Sequence, residues 1–380
     1  MSLVPSDLLA TMHLGELLDL FDPDLPIEQA KSIPGSWYTD QTLYRAECQS
    51  VFARYWHAVG RIEQVQQPGD YLTFQLANDP LVVVRSDDTR LRAFYNVCRH
   101  RGARLLASET GRVDRFRCPY HGWTYDLFGQ LRGMPEFEGV CGFAREDHGL
   151  VELNVACEAN YVWVHAGRQP PSLSEFLQPL PDLAKQLRLD RLYFVERRDY
   201  LLNCNWKIFV DNYLDGGYHI NYVHPALADV IHYPQYRTEL SHYVSIQKSP
   251  LTSSHSSGET ARLRPGRDAY YIWVFPNFML NVYETLMDTN LVIPLGPDRC
   301  RVVFDFFFAD PEDREFIEQS IALADRIQQE DIWISEEVQR GVASRAYAFG
   351  RYSVRRETAV FQFHRLLAQA LRSHREPDPA

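Results

Sequence analysis

Hydrophobic alternation changes character along the chain. Between Val59 and Gly167 apolar and polar residues alternate over short runs, DYLTFQL, PLVVVRS, LRAFYNV, RFRCPY, TYDLFGQL and YVWVHAG, set apart by the turn signals PGD, SDD and FGQ. A period of two bounded by turn formers predicts half-buried strands, so this region reads as a small all-β domain. Ahead of it, WYTDQTLYRAECQSVFARYW suits an amphipathic helix starting after Thr39 or Asp40, either of which could cap it. The proline-rich RQPPSLSEFLQPLPD at 168–182 breaks the pattern and marks the expected junction. Beyond it come strand runs YVSIQK, AYYIWVFPNFMLNVYE, TNLVIPLG and RCRVVFDFFFA, then helical periodicity from about Pro311 to Gly341 and from Glu357 to Ser373. The fold class expected is α+β, with residues 45–170 forming the β domain, 171–380 a mixed domain, and 1–44 a segment packed on the latter. The polar end REPDPA is expected to fray.

Composition narrows the classes. A chain of 380 residues can bury a substantial core, and a net charge of -11 argues against a broad cationic surface for nucleic acid or anionic lipid. The stretch MSLVPSDLLATMHLGELLDLF lacks a basic region followed by a clean apolar run, and no later stretch has the length of a membrane span. Seven cysteines, an odd number scattered over a long chain, make a poor disulfide framework. A reducing cytoplasm, with some thiols serving as metal ligands, is the expected setting.

Two loops of the β domain concentrate such ligands: NVCRHRGARL, with Cys98 and His100, and FRCPYHGWTY, with Cys118 and His121. Each carries a glycine just after its histidine, Gly102 beyond Arg101 and Gly122 directly, where the backbone can curl and aim N–H groups at a negatively charged cluster. Two Cys and two His in paired loops suit a Rieske [2Fe-2S] centre, thiolates on one iron and imidazoles on the other. A structural zinc site or unliganded core residues are the alternatives, but zinc spacings usually pair Cys with Cys and His with His.

A second constellation lies in NWKIFVDNYLDGGYHINYVHP, where His219 and His224 stand five apart. An O2-activating iron commonly takes two histidines and one carboxylate on one face. At about 100° per residue, five residues leave the two side chains about 140° apart, so an ideal helix would not aim both at one ion. The helix is therefore expected to distort or end between them, as Gly216, Gly217 and Pro225 would allow. The carboxylate is expected from FIEQSIALADRIQQEDIWISEEVQRG, as Glu330 or Asp331. On a helical wheel Asp331 falls among Ile317, Ile321, Ala324, Ile327 and Val338, whereas Glu330 sits at the border of that apolar arc. A buried charge needs a partner, which favours Asp331; the competing reading is a solvated acidic face.

CRHRGARL with CPYHGWTYDLFGQL resembles the Rieske domain of ring-hydroxylating and related non-haem iron oxygenases. DNYLDGGYHINYVHP and EDIWISEEVQRGVASRAYAFGRY resemble the choline monooxygenase-like branch of that family, over roughly Trp37 to Leu371. The resemblance implies a catalytic domain in which helices grip an antiparallel sheet (helix-grip, START-like), with His219, His224 and Asp331 on a mononuclear Fe(II). It also implies electrons from NAD(P)H through a separate flavin and iron-sulfur reductase or a ferredoxin, O2 as co-substrate, and a homotrimer in which one subunit's cluster serves the next subunit's iron. Many relatives carry an aspartate three residues before the first iron histidine as a bridge to that cluster. Position 216 is Gly here, which leaves Asp215, or less well Asp211, for the role; a local turn is the alternative for Asp215.

The substrate expected from the resemblance is a quaternary ammonium compound, hydroxylated or demethylated, against an aromatic ring or an N- or O-methyl group. Tyr271, Trp273 and Phe275, with Asn277, Asn281 and Tyr283 beyond a proline, offer aromatic faces for a trimethylammonium group, and Glu284 or Asp288 could add charge. Aromatics in strands are also ordinary core. A Rieske electron carrier without oxygenase activity is the non-enzymatic alternative.

Overall fold

The computed structural model describes residues 13–251 and 259–373. The first part of the stretch read for a targeting signal and the polar end read as frayed lie outside those residues. The chain divides into two compact units, one drawn from residues up to Val51 together with those from Leu177 onward, the other Phe52–Phe176.

The Phe52–Phe176 unit is all β. Its seven-stranded antiparallel sheet runs in the order His57–Arg61, Tyr161–His165, Glu152–Glu158, Leu91–Tyr95, Asp79–Arg85, Asp70–Leu76, Thr110–Arg112. A three-stranded sheet of Phe116–Arg117, Thr124–Tyr125 and Leu131–Gly133 adds to it. Three strands were not expected from alternation, and two show why: His57–Arg61 is buried throughout and Thr110–Arg112 exposed throughout, so neither has a two-residue period. The third, Glu152–Glu158, is mostly half-buried and likewise lacks clean alternation.

The other unit is built on a seven-stranded antiparallel sheet in the order Tyr193–Leu202, Arg299–Phe308, Leu286–Gly296, Phe278–Val282, Asp268–Val274, Val244–Pro250, Arg237–Leu240. AYYIWVFPNFMLNVYE, expected as one strand-like run, is two strands. The chain reverses at Phe275–Asn277 and pairs Tyr271 with Asn281, because proline has no N–H to give to a ladder.

The helices of this unit include Thr358–Ser373, which buries Ala359, Val360, Phe363, Leu367 and Leu371, and the three that follow. Gln41–Arg54 is capped by Asp40, whose Oδ1 accepts from the N–H groups of Thr42 and Leu43 at 2.7 and 2.8 Å. Trp206–Leu214 is capped by Asn205, whose Oδ1 accepts from Lys207 N at 3.0 Å. Lys207 and Glu47 are both fully buried and ion-paired at 2.6 Å, and Trp206 Nε1 donates to the same carboxylate at 2.8 Å, so these two helices are joined through one charge cluster. Arg314–Val342 is the long helix, capped by Asp313. Its buried stripe runs through Ile317, Ile321, Ala324, Gln328, Ser335, Gln339 and Val342. Val338, expected on that stripe, is 42 % exposed: over 29 residues the buried line drifts, and polar Ser335 and Gln339 take the inner positions.

Candidate metal centres and the adjoining cavity

The Cys-x-His and Cys-x-x-His loops share one backbone frame. Cys98 N donates to Ala103 O and Gly102 N to Cys98 O; Cys118 N donates to Trp123 O and Gly122 N to Cys118 O. Gly102 and Gly122 hold φ of +72° and +73°, the left-handed region that a glycine enters without steric cost. The frame brings the His100 and His121 rings to 4.8 Å between centroids. Both cysteines are buried, and Tyr125 Oη lies 3.4 Å from Cys98 Sγ while accepting from Arg99 N. Trp123 stacks flat on His100 at 4.7 Å, whereas His121 is exposed. Burial pushes the Cys98 thiol up; burial, then His121 and Arg101, pull His100 down, which keeps the imidazole neutral. His100 Nδ1 is buried with no hydrogen-bond partner among the described residues. A buried lone pair left open beside two buried thiols fits a bound iron-sulfur cluster.

The other constellation forms where a helix stops. Trp206–Leu214 ends at Asp215, Gly216 and Gly217 follow at φ of +70° and +71°, and a single turn, Ile220–Val223, comes next. His219 and His224 flank that turn, and Pro225 follows. The chain therefore avoids the 140° divergence by placing both histidines at the edges of one short turn. Their rings stand 4.9 Å apart, and one donor atom from each of His219, His224 and Asp331 can be chosen so that all lie within 4.8 Å of one another.

Each ring is turned by an acid on its outer side. His219 Nδ1 is 2.7 Å from Asp215 Oδ2, which also accepts from His219 N, while Asp215 Oδ1 accepts from Tyr218 N. His224 Nδ1 is 2.7 Å from Glu330 Oε2. That leaves both Nε2 atoms toward Asp331, at 3.9 Å from His219 and 3.1 Å from His224, with Asn212 donating to the same Asp331 oxygen at 2.6 Å. Burial works against the charged form of His224, but Asp331 and Glu330 outweigh it and raise its pKa. Two imidazole nitrogens and one carboxylate converging, with their far sides tied down, fit a mononuclear iron.

A cavity of about 100 Å³ adjoins these groups, lined on the metal side by His219, His224 and Asp331. Tyr213, Tyr236, Tyr271 and Tyr283 line it as well, with Asn281, Asp288 and Arg264. The Tyr236 and Tyr271 rings lie nearly parallel at 6.2 Å, and Tyr271 meets Tyr283 at 90°, their hydroxyls 3.0 Å apart. Burial raises the Tyr213, Tyr236 and Tyr271 phenols, so all three stay protonated.

The Rieske [2Fe-2S] domain model matches residues 55–144 and the ring hydroxylating alpha subunit (catalytic domain) model matches 189–373. Chloroplastic choline monooxygenase of Arabidopsis thaliana is 39% identical, covering 97% of this chain and 89% of that protein. The chain belongs to the Rieske ring-hydroxylating oxygenase family. The carnitine monooxygenase oxygenase subunit of Escherichia coli (strain K12) is 29% identical over 91% of this chain and 95% of its own length. A quaternary ammonium Rieske monooxygenase solved in complex with L-carnitine superposes with a TM-score of 0.79 at 26% identity, covering 97% and 99% of the two chains. Naphthalene 1,2-dioxygenase from Rhodococcus sp. shares the fold, with a TM-score of 0.78 at 20% identity over 98% and 100%. This Rieske oxygenase is thus an α+β enzyme using a [2Fe-2S] cluster, a mononuclear iron, O2 and electrons from a separate reductase or ferredoxin. Among its described residues no helix is long and apolar enough to cross a membrane.

Within this oxygenase several sequence-based expectations change. Trp273 and Phe275 are core residues packed against Phe363 and do not line the cavity; Tyr271 and Tyr283 do. Of the two acids considered beside them, Asp288 lines it and Glu284 lies outside, against Gly266. Asp211 is occupied elsewhere: its oxygens take the Tyr38 hydroxyl at 2.6 Å and His364 Nε2 at 2.9 Å. Glu330, weighed as a rival ligand or as part of a solvated acidic face, instead holds His224. Asn212, Tyr213, Tyr236 and Arg264 were missed, and only Asn212 and Tyr213 carried a signal, their place inside the DNYLD stretch.

Proposed function

We propose that this enzyme oxygenates a small quaternary ammonium compound, by hydroxylation or demethylation at a carbon attached to nitrogen. The carrying observation is one cavity with the His219, His224 and Asp331 donors on one side and buried tyrosines on the other. Ring faces attract a cation that cannot donate hydrogen bonds, and a trimethylammonium group offers only such charge. The similarity to choline and carnitine monooxygenases supports the same substrate class.

In this reading Cys98 and Cys118 hold one iron of the cluster, His100 and His121 the other, and His219, His224 and Asp331 hold the mononuclear iron. Iron so held supplies the O2-activating chemistry. The chain's own part is positional. Asp215 and Glu330 fix the imidazole tautomers by accepting from each Nδ1, Asn212 orients the Asp331 carboxylate, and the tyrosine wall keeps water from the substrate's methyl groups. Asp215, already on His219, is the proposed acid linking this site to a neighbouring subunit's Rieske histidine. We further propose a homotrimer, supported by exposed Tyr218, Tyr222 and Trp333 near these ligands in the chain, and a cytoplasmic location, supported by seven cysteines that form no disulfide.

The test supplies a reductase, O2 and a panel of choline, betaines, carnitine and simple arenes, with products identified by mass. Turnover of ammonium compounds is expected; a cis-diol from an arene with every ammonium compound inert overturns the reading. Alongside it, His219→Ala should lose about one-third of the chain's iron while the Rieske spectrum persists.

A further inference from the structure

One charged group on the cavity wall has no part in binding an ammonium head. Arg264 is 4 % exposed and follows the short helix Glu259–Leu263. Its Nη1 donates to Leu263 O at 2.9 Å, and its guanidinium carbon stands 5.2 Å from the Tyr283 ring centroid. No Asp or Glu among the described residues is within the 4.0 Å of an ion pair with it. Asp288, the other charged group on that side, is turned to Asn281 and Asn290, whose amides donate to its Oδ1 at 2.7 and 3.2 Å. Burial also raises the Asp288 carboxyl toward its neutral form, against the pull of Arg264, which makes it a weak counter-charge.

A guanidinium does not give up its proton, so Arg264 keeps a full charge while almost fully buried. Such a charge is costly unless an anion meets it, and its flat fork of donors matches a carboxylate with two parallel hydrogen bonds. A purely cationic substrate would bring a further positive charge beside Arg264 and the metal; a zwitterion adds none.

We propose that the substrate carries a carboxylate as well as its quaternary ammonium group, and that Arg264 binds that carboxylate. The substrate is then a betaine-type zwitterion, held with the ammonium methyls at the tyrosine faces and the acid at Arg264, and an amino alcohol is the poorer ligand. This assignment rests on the quaternary ammonium reading and makes it more specific.

The test uses the metal-loaded enzyme without oxygen and calorimetric binding of matched pairs: trimethylglycine and its methyl ester, 4-(trimethylammonio)butyrate and its methyl ester, and choline. In the wild type at least one acid should bind about 10- to 100-fold more tightly than its ester, which keeps the ammonium and loses the negative charge. Arg264→Gln should erase that gap by weakening the acid alone, and Arg264→Lys should restore part of it. Esters or choline binding as tightly as both acids overturns the assignment and leaves the ammonium reading standing. If no ammonium compound binds while an arene does, the broader reading fails and this one with it. The wild-type comparison decides the matter even where a substitution impairs folding.

Discussion

Asp215 and Glu330 serve the two iron-side histidines from different distances in sequence, four residues for one and 106 for the other. Both accept from an Nδ1, so each fixes which ring nitrogen is left for metal. Asp215→Asn and Glu330→Gln should each lower turnover about 10- to 100-fold and reduce iron occupancy, with the cluster's absorbance unchanged. Iron analysis beside the visible spectrum checks this. Asp288 shows the opposite balance between function and stability. Its folded pKa is raised by burial, so the folded chain holds this proton more tightly than the unfolded one, and stability falls as pH rises from the ordinary carboxylate value through the folded one. Asp288→Asn should match the wild type in acid and exceed it at neutral pH, read as urea midpoints from about pH 4 to pH 8. At this scale the proposed ligands could be picked out because metal chemistry demands residue types at short spacing: Cys98 with His100, Cys118 with His121, His219 with His224. Glu330's role and Arg264's place were not, since each depends on which surfaces meet after folding.

The helix break before His219 sets the geometry of the whole second centre. At Gly216 a Cβ would lie 2.2 Å from the Arg356 carbonyl oxygen, and the residue's φ is +70°. Gly216→Ala should therefore destabilise the chain by about 1–3 kcal/mol and misplace His219, seen as a lower thermal midpoint together with lost iron. The glycine pair was readable as a break, but the break expected between the histidines falls before His219, because composition marks a bend and backbone hydrogen bonds decide its phase. Strands behaved similarly. Those with one wet face announced themselves by alternation, while His57–Arg61, buried on both faces, did not. In the long helix the wheel placed Asp331 inward and also put Val338 there, since an ideal 100° step takes no account of where the neighbouring surface ends.

Two stretches distant in sequence make the catalytic unit, and its buried Lys207–Glu47 pair joins them. Burying one of these charges without the other is costly, whereas removing both leaves no bare charge, only altered packing and the loss of the acceptor for Trp206 Nε1. Lys207→Met should cost about 3–5 kcal/mol and Lys207→Met with Glu47→Leu clearly less, as denaturant titrations of the catalytic unit would report. The Rieske unit occupies the interval between the two stretches, and its first and last segments meet, with the Tyr55 and Phe176 rings 6.5 Å apart. The order of synthesis follows from that nesting. Glu47 leaves the ribosome 160 residues ahead of its ammonium partner, and the whole cluster-binding unit is complete in between. An unfinished chain thus carries the four proposed cluster ligands, Cys98 to His121, before it carries any of the proposed iron ligands, His219, His224 and Asp331.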